Sequence, residues 1–256
     1  MNLKPIAVLH IPHASKVIPQ GVRQKFLLSD KELDDELIKM TDSFTDELFD
    51  SDSPAIKVIS PVSRLVIDVE RFIDDADEPM AKRGMGVIYT KTSSGQPLRH
   101  ILTAEDRRLL LKRYYDPHHQ KFTKAVKETL SVNKCCLIID CHSFPSTPLS
   151  YESDPSPTRP NICIGTDEFH TPSSLKELTM KLFRESGFSI EIDTPYSGSM
   201  VPGHYYHSNA NIKSIMIEVN RSLYMEEKTG VRNHQFEQMC IKIRDILGRL
   251  IAEFTT

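Results

Sequence analysis

The sequence predicts an α/β protein with a mostly parallel sheet. Short apolar runs alternate with longer segments of helical periodicity along the chain, which is the pattern of strands connected by helices. Two of the runs, residues 137–141 and the centre of 213–219, consist mainly of aliphatic residues, as in a strand that is buried on both faces. The chain of 256 residues contains no visible internal repeat, so we expect a single domain over residues 1–256.

The expected strands are short segments that are rich in aliphatic and β-branched residues. They stop at polar or turn-forming residues, such as Pro12 after the first strand and Gly95 after the fourth. In chain order the strands are expected over residues 6–11, 56–59, 64–69, 87–90, 137–141, 161–165, 189–193 and 213–219.

Four helical regions are expected, over residues 30–49, 103–130, 171–186 and 231–254. Ser29 or Asp30 can cap the first, Thr103 and Thr171 precede the second and third, and Gly187 ends the third. Pro117 is expected to interrupt the second helix, because proline lacks the amide hydrogen that a helix interior requires. Long irregular loops are expected over residues 145–160 and 195–207, and loops of this length are usually functional.

Composition and charge exclude several classes of protein. The formal net charge of −3 gives no basic surface for nucleic acid. No apolar run approaches the roughly 20 residues that span a bilayer, and the first residues do not resemble a signal peptide. The five cysteines form no CxxC pair and are odd in number, which favours reduced thiols in a cytoplasmic protein and argues against a cysteine zinc cluster.

Polar side chains at the strand ends predict a metal-dependent hydrolase. His13 and His142 each follow a buried strand, where ligand sites of open α/β sheets lie, although a histidine at a strand end can also be a simple cap. Glu218 interrupts the last apolar run, and an unpaired carboxylate buried there would be costly. Two imidazoles and the carboxylate of Asp42 would make a zinc (Zn2+) site with one open position, leaving Glu218 as a general base.

Six motifs then resemble those of the N-formylglutamate amidohydrolase family, in the same order along the chain. They are HIPHAS at 10–15, MTD at 40–42, VSRLVIDVERF at 62–72, DCHSFPS at 140–146, RPNICIG at 159–165 and IEVNR at 217–221. The resemblance implies a three-layer, phosphorylase/hydrolase-like fold similar to that of zinc carboxypeptidases. It also implies that His13, Asp42 and His142 bind zinc and that Glu218 is the base. Lys16 stands where the HxxE pattern of metallopeptidases has glutamate.

The expected reaction is hydrolysis of the amide bond of an N-acyl acidic amino acid, with N-formyl-L-glutamate as the leading substrate. Arg64 and Arg71 are the first choices for polarising the carbonyl or holding the substrate carboxylate. Further substrate contacts are assigned to Arg99, Arg221, Ser143 and Asn220. A carboxypeptidase, a γ-glutamyl hydrolase and a non-catalytic binding protein of the same fold remain alternatives. The expected partner is this small molecule, without nucleic acid or membrane, and a homo-oligomer remains open.

Overall fold

A six-stranded sheet forms the centre of the computed structural model, which describes residues 5–152 and 154–255. The strands are β1 (Ala7–Ile11), β2 (Ala55–Ile59), β3 (Cys136–Phe144), β4 (Ile162–Gly165), β5 (Ile190–Ile192) and β6 (Ile212–Asn220). Their order in the sheet is β2-β1-β3-β6-β4-β5. Neighbouring strands are parallel except for β4 and β6, which are antiparallel. The predicted α/β class with a mostly parallel sheet is therefore confirmed.

Helices and short elements connect these strands. The α-helices are α1 (Gln20–Arg23), α2 (Asp30–Met40), α3 (Thr45–Leu48), α4 (Ala104–Leu110), α5 (Asp116–Val132), α6 (Ser173–Glu185) and α7 (Phe236–Thr255). The short elements are 3-10 turns at Pro79–Arg83 and Arg221–Leu223, a π-helical turn at Leu111–Tyr115, and the hairpin strands β7 (Met225–Glu226) and β8 (Val231–Arg232). Within the described residues, the helices all lack the length or the apolar character that crossing a membrane requires.

Both faces of the sheet are covered, because successive side chains of a strand point to opposite faces. In β1, Leu9 belongs to a core cluster with residues of α6 and α7. Its neighbour Val8 belongs to a second cluster with Phe122 and Val126 of α5. These side chains are fully buried. Burial of apolar surface stabilises the folded state by about 25 cal/mol for each Å² removed from water. The result is a helix–sheet–helix arrangement of three layers.

Two predicted strands are wrong. Residues 64–69 and 87–90 lie in turns and irregular backbone rather than in the sheet. Their apolar side chains are nevertheless buried, with Val66, Ile67 and Val87 in a separate cluster that packs against Leu110 of α4. An apolar run signals burial, and here it anchors a long connection between β2 and α4 instead of adding strands.

The helix boundaries also differ from those expected. The first helical region is divided between α2 and α3, and Phe44 in the gap has a left-handed backbone with φ of 68°. Pro117 does not interrupt the second region, because the π-helical turn leads directly into α5 and the proline lies in the first turn of that helix. The last helix begins at Phe236, since the residues before it form β8 and a turn.

Candidate active site

The register of the parallel strands brings the candidate residues to one end of the sheet. His142 of β3 is paired in register with Glu218 of β6, and His10 of β1 is paired with Asp140 of β3. His13 lies two residues beyond the end of β1. The chain passes from β1 to β2 and from β3 to β4, which lie toward opposite edges of the sheet. The carboxyl ends of the strands at such a switch point are the usual ligand site of open α/β sheets.

Three donor groups near this switch point are arranged as metal ligands. One ligand atom from each of His13, Glu70 and His142 lies within 4.8 Å of the others. Nε2 of His142 is 3.2 Å from Oε1 of Glu70, and Nδ1 of His13 is 3.5 Å from Oε2 of the same carboxylate. Two imidazoles and one carboxylate are a donor set that suits zinc, with a further position open for water or substrate.

The surroundings of His13 fit a bound cation. Its Nε2 is 2.9 Å from Oδ1 of Asp68, which orients the ring in the way that carboxylates orient metal-bound histidines. Its Nδ1 is buried and finds no hydrogen-bond partner among residues 5–152 and 154–255. A lone pair on Nδ1 would thus point toward Glu70, as it must if Nδ1 and Glu70 are to bind the same metal ion. The residues present therefore fit a divalent metal ion.

Negative charge around the imidazoles further favours a cation. Burial and Arg64 act to lower the pKa of His13, but Asp68 and Glu70 outweigh them and the pKa is raised. Burial likewise opposes protonation of His142, but nearby carboxylates led by Glu70 and including Asp140 hold its pKa well above the usual value. The same carboxylates that stabilise protonated imidazoles would stabilise a metal ion in their place.

Asp42 lies beside this group and is already engaged. Oδ1 of Asp42 accepts a hydrogen bond from Nη2 of Arg221 at 2.8 Å. Oδ2 accepts from the backbone amide of Ser143 at 3.2 Å and is 3.1 Å from Nδ1 of His142. Burial opposes ionisation of Asp42, yet His13, His142 and Arg221 hold its pKa well below the usual value. The geometry thus favours Glu70 as the third metal ligand and Asp42 as the residue that orients His142.

A second set of contacts connects His142 with Asp140 and His10. Oδ1 of Asp140 is 3.1 Å from Nε2 of His142 and 2.8 Å from Nδ1 of His10. Nε2 of His10 is in turn 2.9 Å from Nε2 of His118. Sequence reasoning assigned no role to Glu70, His10 or Asp140, although Glu70 lies within the motif at 62–72 and the other two begin the motifs at 10–15 and 140–146.

Glu218 is buried and incompletely paired. It is 7% exposed, and its Oε2 has no hydrogen-bond partner in the described part of the chain. Burial raises the pKa of this carboxyl to about 8. A carboxyl whose pKa lies near neutral pH, beside candidate metal ligands, has the properties of a general acid and base.

A cleft of about 320 Å³ opens above these groups. Its polar wall includes His13, Lys39, Asp42, Arg64, Glu70, Arg71, His142, Ser143, Glu152, Glu218 and Arg221. Most of the residues that the sequence singled out are therefore brought together by the fold.

The three arginines of the cleft differ in how firmly they are held. Arg221 donates to the backbone oxygen of Lys39 at 2.6 Å and to Asp42, so its donors are committed to the protein. Arg64 donates to Asp68 at 3.0 Å, and its side chain is 14% exposed. Arg71 is 26% exposed, and its two carboxylate partners are 3.6 and 3.7 Å away. Arg71 is therefore the guanidinium most available to a ligand.

The three other expected substrate contacts lie in different parts of the structure. Arg99 lies outside the cleft, where it donates to the backbone oxygen of Leu65. Asn220 also lies outside it, because its side chain donates to Pro160 and accepts from Ser222 at the start of a 3-10 turn. Ser143 lines the cleft, but its hydroxyl accepts a hydrogen bond from Arg221. Arg99 and Asn220 therefore do not face the cleft, whereas Ser143 lines it with a hydroxyl that already accepts from Arg221.

Comparison with known proteins assigns the chain to a family. The model of the N-formylglutamate amidohydrolase family matches residues 6–225, which is most of the chain. The chain belongs to this family. A curated relative, the N-formylglutamate deformylase of Pseudomonas putida, is 25% identical over 231 residues, which cover 86% of this chain and 82% of the relative. The family resemblance that the sequence motifs predicted is confirmed.

Solved structures share the fold of this family member. The N-formylglutamate amidohydrolase of Ralstonia eutropha superposes with a TM-score of 0.85 and 23% identity, over 98% of this chain and 94% of that one. A gene product of Agrobacterium tumefaciens superposes with a TM-score of 0.71 and 18% identity, over 99% and 93% of the two chains. At these identities the likeness concerns the fold, and it supports the α/β class described above.

Proposed function

We propose that this protein hydrolyses the amide bond of N-formyl-L-glutamate, giving formate and L-glutamate, with the help of a zinc ion. The observation that carries the proposal is the unpartnered Nδ1 of His13, which faces Glu70 close to His142 and Glu218. The family to which the chain belongs and its curated relative are both named for this substrate.

His13, Glu70 and His142 would hold the metal. A bound zinc ion supplies Lewis-acid chemistry that makes water nucleophilic near neutral pH. Asp68 holds the ring of His13 and Asp42 that of His142, each at the ring nitrogen that does not face Glu70. Carboxylates in these positions fix the ring orientations and increase the basicity of the imidazoles toward a cation.

Glu218 would move the proton in this reaction. Its carboxylate form accepts a proton from water as the water oxygen bonds to the formyl carbon. It then delivers that proton to the amine nitrogen as the C–N bond breaks. Positive charge in the cleft favours the carboxylate form that begins this sequence, because Arg221 acts to lower the pKa of Glu218.

The cationic side chains of the cleft suit a substrate with two carboxylates. Arg71 has the greater exposure of the two candidate guanidiniums, and Arg64 lies close by on the same carboxylate, Asp68. Arg71 would bind one substrate carboxylate, and Arg64 or the exposed Lys39 the other. The small volume of the cleft favours a single amino-acid derivative over a long peptide.

A substrate panel with metal analysis tests the proposal. Zinc-loaded protein is supplied with N-formyl-, N-acetyl- and peptidyl-L-glutamate and with γ-glutamyl peptides, and product amine is measured. We expect N-formylglutamate to have the highest kcat/KM. Preference for a peptidyl or γ-glutamyl substrate would replace the proposal with one of those activities. Binding of N-formylglutamate without turnover by zinc-loaded protein would support a non-catalytic role.

A further inference from the structure

A second cavity lies apart from the active-site cleft, beside α1 and the helical segment 104–115. Its volume is about 370 Å³, and among the described residues no wall residue is shared with the cleft. The apolar part of its wall includes Val22, Leu102, Leu109, Leu110 and Tyr114. The charged side chains of the wall are Lys25, Arg99, Asp106 and Arg113. A concave, mainly apolar surface with a few charged groups is typical of a small-molecule site.

Arg99 is the unusual member of this wall. It is 5% exposed, and its Nη2 donates to the backbone oxygen of Leu65. Its Nε and Nη1 are buried and have no hydrogen-bond partner within residues 5–152 and 154–255. The guanidinium carbon lies 4.7 Å from the centre of the Phe26 ring. Burial lowers the pKa of Arg99 to about 10, because the cation is removed from water.

The charge of Arg99 is not balanced by a carboxylate in the described chain. The buried arginines of the cleft are each paired, Arg64 with Asp68 and Arg221 with Asp42. The acid in the wall of the second cavity, Asp106, is 3.0 Å from the ammonium group of Lys25, and its carboxylate accepts hydrogen bonds from Thr103, the cap of α4. A buried cation without a counter-charge is costly, so an anion that pairs with Arg99 would be favoured.

We propose that this cavity binds a small organic carboxylate with an apolar body, and that Arg99 is the counter-charge of the carboxylate. The apolar side of the ligand would lie against Leu109, Leu110 and Tyr114. Guanidinium and carboxylate form strong charge-assisted hydrogen bonds, and the contact with Leu65 already fixes the orientation of Arg99. This site is separate from the proposed active site and would exist whatever the reaction there.

Calorimetric titration of the zinc-loaded protein with hexanoate, benzoate and acetate tests the proposal. We expect saturable binding of hexanoate and benzoate, and weaker binding of acetate because it lacks the apolar body. Arg99→Met should weaken hexanoate binding by at least about tenfold, since the charge-assisted hydrogen bonds are lost. Leu109→Asp should have a similar effect, because it places a negative charge in the wall. Leu109 is 49% exposed, so this variant is not expected to disturb the core.

Controls separate this cavity from the cleft and from general effects. Ile241→Asp introduces the same charge on α7, at a position that is 65% exposed, and should bind hexanoate as the unmodified protein does. Arg71→Met removes a cleft cation and should also leave the binding unchanged. The proposal is overturned if hexanoate and benzoate do not bind saturably, if folded Arg99→Met or Leu109→Asp binds them normally, or if Arg71→Met abolishes the binding. If Arg99→Met does not fold, Leu109→Asp decides.

Discussion

Replacing Glu218 with glutamine changes charge while nearly preserving shape, and it should affect stability and activity in opposite directions. In the metal-free protein, burial raises the pKa of Glu218 from 4.5 to about 8. Between these two values the native state binds more protons than the unfolded state, so the contribution of Glu218 to stability falls as the pH rises. The glutamine variant carries no such group and should not show this loss.

The size of the effect follows from the pKa. Since one pKa unit corresponds to about 1.4 kcal/mol, the loss between pH 4.5 and pH 8 is at most about 4 kcal/mol. Relaxation of the site and entry of water reduce this value, so we expect about 2–3 kcal/mol. The free energy of unfolding of Glu218→Gln, measured relative to the unmodified protein, should therefore increase by that amount between pH 5 and pH 8.

Urea unfolding of both metal-free proteins at pH 5 and pH 8 provides the measurement. Other titrating groups, including the two candidate histidine ligands, are present in both proteins, so most of their contribution cancels in the difference. With zinc bound, the same variant should retain the metal and lose about 100- to 10,000-fold in kcat, as expected for the loss of a general base. A pH-independent stability difference would refute the assigned environment of Glu218, and an unchanged kcat would refute its role as the base.

Three further predictions concern the metal and the substrate. Arg71→Met should raise KM for N-formylglutamate about 10- to 100-fold with a smaller change in kcat. The control Arg249→Met, on the surface of α7, should leave both constants unchanged. An unaltered KM of Arg71→Met in steady-state assays would remove Arg71 from the substrate site. Asp68→Asn should weaken zinc binding about 10- to 100-fold in competition with a chromophoric chelator, because the orienting carboxylate of His13 is lost; equal affinity would contradict that role. Removal of zinc by a chelator should abolish activity and lower the unfolding temperature, since a metal that binds only the native state stabilises it, and re-addition should restore both; full activity of the metal-free protein would exclude the proposed chemistry.

Much of the fold could be predicted because its central strands consist of aliphatic runs. The run in β3 and that in β6 are typical of a strand buried on both faces, and both are such strands. Residues 64–69 have a similar run but no strand structure, since their side chains pack into a cluster below a long connection. Local periodicity reports that a segment is buried, and it does not distinguish a buried strand from a buried loop.

The candidate site was predictable where its residues follow strands and not where they lie in connections. His13, His142 and Glu218 follow or interrupt apolar runs, so their position at one sheet end could be inferred from the chain. The choice between Asp42 and Glu70 depends on a partner of Asp42, Arg221, that is 179 residues away in sequence. Arg99 was a second choice as a substrate ligand, and its position outside the cleft could not be inferred because it depends on how the connection between β2 and α4 folds.

The central claim is that His13, Glu70 and His142 hold a zinc ion, and metal analysis of two matched variants tests it most directly. Glu70→Gln and Asp42→Asn each replace one carboxylate by an amide, and circular dichroism verifies that each is folded. Zinc per folded chain is then measured by mass spectrometry after dialysis. We predict about one zinc ion in the unmodified protein and in Asp42→Asn, and little in Glu70→Gln. Retention of zinc by Glu70→Gln together with its loss from Asp42→Asn would contradict the proposed ligand set.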